Sequence, residues 1–316
     1  MTAGNLAEPT LESVETLLRA ELAQSDILLS TAAPVLRHLL ANEGDGLLSD
    51  EVVARTRGLL ADLAGQLLDA LAEEMSVAGP VSFMAEHRDA VVKALADEPA
   101  LLAHLHALAI EGGLALRIEE RTGIDPVLCP LLRELVGSPD DTVAGIAMAV
   151  LAAQARFVLH HREMTLSLSE LPSDLFGRAL DALQRQAAAG GDAAAAAAQN
   201  LGKRFDERRS RLGLIAQLLE RIGGPAPALD VAHAGVAVFA TALAQASGQE
   251  RELCLLSLAG GRAAHLALQM RAAGLAQSEL ENQLLNLDAE APLPRGFEAL
   301  SQDRASRLLH GSQSGE

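Results

Sequence analysis

Arg156, His160 and Glu163 stand at i, i+4 and i+7 of one apolar segment, a spacing that places all three on one face of a helix. An imidazole set between a guanidinium and a carboxylate could act as a general base or hold an anionic ligand. His161 falls on a different face, near Gln154 and Val158, so the two adjacent histidines do not form a pair. The competing reading is a solvated helix end, because helix C-termini attract cationic side chains and ion pairs at this spacing are common.

A second polar group is Lys203, Arg204, Arg208, Arg209 and Arg211, tempered by Asp206 and Glu207. It stands out in a chain with 25 Lys and Arg against 42 Asp and Glu, a net charge of -17. Guanidinium groups at that density suit an acidic partner surface or a phosphorylated segment. They suit equally an exposed helix face with internal pairs such as Glu207 with Arg211.

Other chemistries are excluded by missing partners. His104 and Glu111 share a face seven residues apart, but no HExxH, Glu-x-x-His or histidine-cysteine cluster completes a metal site around them. Gly202-Lys203 is followed by Arg204 rather than Ser or Thr, which rules out a P-loop. The acidic turn Asn42–Glu51 has its carboxylates and glycines at the wrong positions for a calcium loop. No Gly-x-Ser-x-Gly elbow is present, and nothing around His38 or His87 specifies phosphotransfer. No catalytic, metal-binding or cofactor-binding residue is assigned, and no cofactor is expected.

The elements that must position these groups are helices. The 316 residues are 49% hydrophobic but only 2% aromatic, with neither Trp nor Tyr, so alanine and leucine carry the core. That favours helix over strand, and helical periodicity with caps recurs from about Thr10 to His310. The predicted fold class is all-α: stacked antiparallel helical hairpins, arranged as a multi-helix bundle or a short α-solenoid. Predicted helices include Asp26–Asn42, Asp50–Met75, Ala100–Arg121, Pro126–Val136, Pro139–Glu163, Ser173–Ala189, Ala193–Ile222, Ala228–Ala246 and Gln249–Ala273. Ser278 with Glu281, and Ser247 with Glu250, have the spacing of capping boxes.

Within the segment Thr142–Leu180, Val143–Ala153 has no polar face and reads as a helix buried on all sides. Ser138, Pro139, Asp140 and Asp141 supply its start. Gln154 and Arg156 interrupt the apolar run short of the roughly 20 residues of a membrane span. The basic cluster lies inside the helix predicted over Ala193–Ile222.

The acidic charge disfavours nucleic acid and anionic membranes as partners, and the missing Trp and Tyr remove the best base-stacking groups. Cys129 and Cys254 form no CxxC unit and read as small core residues in a reducing compartment. The first residues, MTAGNLAEPTLESVE, lack the basic start and apolar stretch of a signal peptide, so a cytoplasmic location is expected.

Two helical subdomains are expected, residues 1–137 and 138–316, or one continuous domain. Ala144–Ala149 is echoed by Ala234–Phe239, and Arg178-Ala179-Leu180 by Arg262-Ala263-Ala264. The echo fits either duplicated hairpins or chance similarity between alanine-rich helices.

Pro34–Leu40, Ile124–Leu132, and Ala152–Phe157 with Glu170-Leu171-Pro172 carry a resemblance to a bacterial domain-of-unknown-function family of all-helical, repeat-like proteins. The resemblance implies an architecture and no functional residue. The expected function is a protein-protein interaction or regulatory module without catalytic activity, serving an unidentified protein partner or forming a homo-oligomer. The alternative is a small-ligand-binding or enzymatic helical domain using a polar cavity near Arg156, His160 and Glu163.

Overall fold

A computed structural model describes residues 14–20, 22–23, 49–186, 191–259, 263–287, 293 and 296–313. Every regular element among them is helical, so the fold class is all-α as expected. The helix predicted over Asp26–Asn42, together with His38 and most of the acidic turn, lies outside the described residues.

The helices are α1 (Asp50–Glu74), α2 (Pro80–Ala96), α3 (Pro99–Thr122), α4 (Pro130–Val136), α5 (Asp141–Glu163), α6 (Ser173–Gln186) and α7 (Gly191–Arg204). They continue with α8 (Arg211–Arg221), α9 (Val231–Ser247), α10 (Arg251–Ala259), α11 (Ala263–Ala272), α12 (Gln277–Asn286) and α13 (Gln302–Gln313). Proline opens α2, α3 and α4, where its missing N–H has no intrahelical partner to lose. Asp140 caps α5 by accepting from the backbone of Thr142 and Val143, so the helix starts two residues later than Pro139. Helix α4 likewise starts at Pro130, not Pro126, because the Asp125 carboxylate accepts from the backbone of Val127 and Leu128 and holds a turn there.

Neither predicted capping box forms. Ser247 ends α9 and donates to the Leu243 carbonyl, ahead of a left-handed Gly248. Helix α12 begins at Gln277, and the Glu279 carboxylate reaches back to the Ala276 N–H.

Two apolar clusters build the interior, and they interleave along the chain. One joins α1, α2 and the first half of α3 to α6 and the start of α7, around Leu63, Leu67, Leu95, Leu101 and Leu183. The other gathers helical residues 14–20, the second half of α3, α4, α5 and everything from α8 to α13. Helix α3 serves both, presenting Leu101, Leu102, Leu105 and Leu108 to the first and Leu114, Ala115 and Ile118 to the second. A polar residue midway along α3, such as Glu111, therefore lies where the two clusters meet.

Helix α9 is enclosed on all sides along its middle. Every residue from Ala234 to Ala244 is buried, with Phe239 fully enclosed, and α3, α4, α8, α10, α11 and α12 pack around it. Its path breaks at Gly235, whose φ of 68° and ψ of 166° suit glycine, and a Cβ there would lie 3.2 Å from that of Cys129.

Helix α5 differs from the expectation of burial on all sides. It buries one stripe, Val143, Ala147, Val150, Ala153, Gln154 and His161, and leaves Met148 51% and Leu159 53% exposed. Alanine and glycine on the open face made the helix look uniformly apolar, since hydropathy does not register how little area these residues have to bury. The echo with α9 thus joins two helices in unlike settings: Gly145 sits exposed in a regular turn, whereas Gly235 breaks a buried one.

By length and hydropathy alone, α3 and α5 are each apolar enough to cross a membrane, so the interruption at Gln154 and Arg156 does not remove α5 from that class. Helix α3 has 67% of its apolar window buried inside the fold, against 28% for α5.

Candidate functional site

The helix predicted over Ala193–Ile222 is broken, and the break builds the site. Helix α7 ends at Arg204, and Phe205 turns inward to stack on Phe176 with ring centroids 4.0 Å apart. Asp206 then caps a single turn of 3-10 helix, Glu207–Arg209, by accepting from the Arg208 N–H. Ser210 caps α8 by accepting from the Gly213 N–H at 3.1 Å. Gly213 lets the turn close on α8, because a Cβ there would fall 2.2 Å from the Glu207 carbonyl oxygen. Gln217 holds the turn from below, donating to the Arg208 carbonyl at 2.6 Å.

This path sends Arg211 inward, where sequence reasoning had paired it with Glu207 on an exposed face. Its side chain is 3% exposed, and its Nη1 and Nη2 donate to Glu111 Oε1 and Oε2 at 2.5 and 2.9 Å. Nη1 also donates to Gln154 Oε1 at 3.1 Å, and the guanidinium lies 3.7 Å from the centroid of the Phe157 ring. Its backbone N–H donates to Glu170 Oε2 at 2.7 Å. Arg251, on α10, reaches the same Glu111 carboxylate at 3.0 Å and donates from Nε to Thr241.

Burial by itself would raise the Glu111 pKa, but the charges of Arg211 and Arg251 and their hydrogen bonds hold it down at about 2. The buried Arg211 and the partly buried Arg251 share the one buried Glu111 carboxylate where the two apolar clusters meet.

Arg211 also lines a cavity of about 430 Å3. One wall is the C-terminal part of α5, with Arg156, Phe157 and His160. The link after α5 and its short 3-10 turn supply Thr165, Ser167, Ser169 and Glu170. The opposite wall is the break between α7 and α8, with Arg204, Asp206, Arg209 and Leu212. The two polar groups picked out separately in the sequence face each other across one space.

Not every predicted residue takes part. Arg156 and His160 line the cavity, and His160 Nδ1 lies 2.6 Å from Thr165 Oγ1. Glu163 is exposed and is not among the lining residues. Arg204, Arg209 and Arg211 line it, while Lys203 points to Asn200 at 3.2 Å. Arg208 borders a separate surface depression with Ile146, Gln217, Glu220 and Arg221. His161 turns away as expected and lies against α3, where its ring occupies the space a Cβ on Gly112 would need. His104 meets Glu252 at 2.7 Å instead of sharing a site with Glu111.

Sequence reasoning missed Glu111 as an arginine partner, and missed Gln154, Arg251, Glu170 and the hydroxyls of 165–169. The breaker pattern Asp206, Ser210, Gly213 was the available signal, since each residue favours a cap or a close approach over a continuing helix.

Chemically, the cavity offers arginine forks, hydroxyls and one imidazole. The His160–Thr165 contact has the donor-acceptor reach of a base and a nucleophile, but no carboxylate orients the other ring nitrogen among the described residues. No group of three or more His, Cys, Asp or Glu that could hold a metal ion occurs among the described residues.

No protein-family model matches the chain, and no curated protein and no solved structure matches it.

Proposed function

We propose that this protein is a non-catalytic binding module whose recognition site is the arginine-walled cavity, and that it takes a small anionic ligand there. The observation that carries the reading is the convergence of Arg156, Arg204 and Arg209 on a cavity backed by the buried Arg211. Guanidinium forks match carboxylate and phosphate oxygens two at a time. A volume of about 430 Å3 falls within the roughly 300–1,000 Å3 of small-molecule sites. The net charge of -17 repels extended polyanions, whereas a small anion can reach a locally positive recess.

The test is thermal unfolding and calorimetric titration of the whole chain against phosphate, citrate and simple carboxylates at low and high salt. A ligand bound to the native state alone raises the melting temperature by mass action, and Arg204→Gln with Arg209→Gln should abolish the rise. Indifference of both proteins to every anion at low salt would overturn the reading.

A second reading rests on a different surface. Met148 and Leu159 stand exposed on α5, with Gly145, Ala152 and Ala155 also open. Exposed apolar side chains on one helix face support contact with a protein partner or with a second copy, and the oligomeric state of the wild type and of Met148→Glu, measured by light scattering, tests it.

A further inference from the structure

The lining of the cavity is of two unlike kinds. Arg156, Arg204, Arg209 and Arg211 face it together with the carboxylates of Glu170 and Asp206. The lining alone has four guanidiniums against two carboxylates, a formal excess of two positive charges. The rest of the lining includes the apolar side chains of Leu108, Phe157, Leu166 and Leu212, of which Phe157 lies under the Arg211 guanidinium. The space equals that of on the order of a dozen waters, far more than a bare phosphate or carboxylate fills.

Resting on the anion-binding reading above, we propose that the ligand is a dianion with an apolar body: a phosphate monoester or an alkyl dicarboxylate rather than a free inorganic anion. The dianionic head lies among Arg156, Arg204 and Arg209, where its two charges balance the excess of two. The body lies along Leu108, Phe157, Leu166 and Leu212. Hydroxyls of Thr165, Ser167 and Ser169 are on the lining, and since those of Ser167 and Ser169 bond each other at 2.8 Å, one of that pair keeps a proton to donate to the head. Arg211 is a positioning residue: its fork is committed to Glu111, so it supplies field and a fixed wall rather than a free pair of donors.

The experiment is titration calorimetry of the full chain at pH 8, where a phosphate monoester carries close to two charges. The probes are hexyl phosphate, hexylmalonate, hexanoate and inorganic phosphate. Hexyl phosphate, hexylmalonate or both should bind at least about tenfold more tightly than hexanoate and than inorganic phosphate, because several methylenes leave water on binding. A preference between the two dianions identifies phosphate or dicarboxylate as the head. Leu212→Asn should shrink the advantage of the alkyl probes over inorganic phosphate, whereas Arg209→Gln should weaken every probe. Melting curves of both variants check that they fold.

Hexanoate binding as tightly as the dianions, or inorganic phosphate matching hexyl phosphate, would overturn this proposal while leaving an anion site in place. Failure of all four probes, together with indifference to citrate, would overturn the anion site itself.

Discussion

Arg211 places both terminal nitrogens of its guanidinium on the Glu111 carboxylate, 100 residues away along the chain, with each side chain at most 3% exposed. The pair ties the start of α8 to the middle of α3, and Arg251 adds α10 to the same carboxylate. Three helices thus converge on one buried charge, and the wall of the cavity is fixed to the centre of the fold. A pair this deeply buried adds little net stability by itself, but removing one partner strands the others.

Glu111→Gln should therefore destabilise the protein by about 3–5 kcal/mol, the range for breaking a buried pair. The acid limb should change as well. The folded-state pKa of about 2 lies below the ordinary 4.5, so this contribution is complete above pH 4.5 and is lost as the pH falls towards 2. Urea unfolding across that range should show a steeper loss in the wild type than in Glu111→Gln. Parallel curves would show that the carboxylate is not the group being titrated.

His161 and Gly112 form a second tight contact, since a Cβ on Gly112 would fall 2.3 Å from the imidazole. Gly112→Ala should cost about 1–3 kcal/mol through overpacking. His161→Ala in the same chain should recover part of that loss, giving a coupling above about 0.5 kcal/mol in a double-mutant cycle. Strict additivity would mean that the helices simply separate instead of colliding.

Burial, and then the nearby charge of Arg55, lowers the His161 pKa to about 4 from 6.5, with Glu111 and Glu51 pulling the other way and Arg211 adding to the lowering. The unfolded chain therefore binds more protons between those values, and stability falls as the pH drops from about 6.5 to about 4. His161→Gln should flatten the urea midpoint over that window relative to the wild type. An unchanged slope would assign the titration to another group.

The fold class was legible because caps, prolines and helical periodicity each act within a few residues, and most element positions followed from them. The site was only half legible. Arg156, His160, Arg204 and Arg209 were visible as charges against an apolar or acidic background, but nothing local says that two segments some 50 residues apart face one cavity. Arg211 was misplaced because an arginine four residues after a glutamate looks like a surface pair, and its true partner lies on α3. The open face of α5 is not legible in the sequence, because alanine supports a helix whether or not anything covers it.

Cys129 and Cys254 are both free and buried, and burial pushes the Cys254 thiol up to about 12 and raises that of Cys129. Thiolate, the reactive form, is then scarce at neutral pH. A disulfide reagent such as Ellman's should leave both thiols unreacted in the native protein and modify both in denaturant. Stoichiometric reaction of either within minutes under native conditions would contradict this environment.

The two sides of α5 give the most direct discrimination between the structure and the uniform burial that the sequence suggests. Val150 is fully enclosed, whereas Met148, two residues earlier, and Leu159 are each about half exposed. A charge placed on the open side keeps its water, so Met148→Glu and Leu159→Glu should each change stability by no more than about 0.5 kcal/mol. A charge at Val150 has no partner and no water, so Val150→Asp should cost about 3 kcal/mol or more. Chemical denaturation of the three variants measures the difference. Comparable losses at all three positions would mean that another surface covers α5 in solution. Light scattering on Met148→Glu would then separate a second copy, lost from the wild-type mass, from closure within one chain.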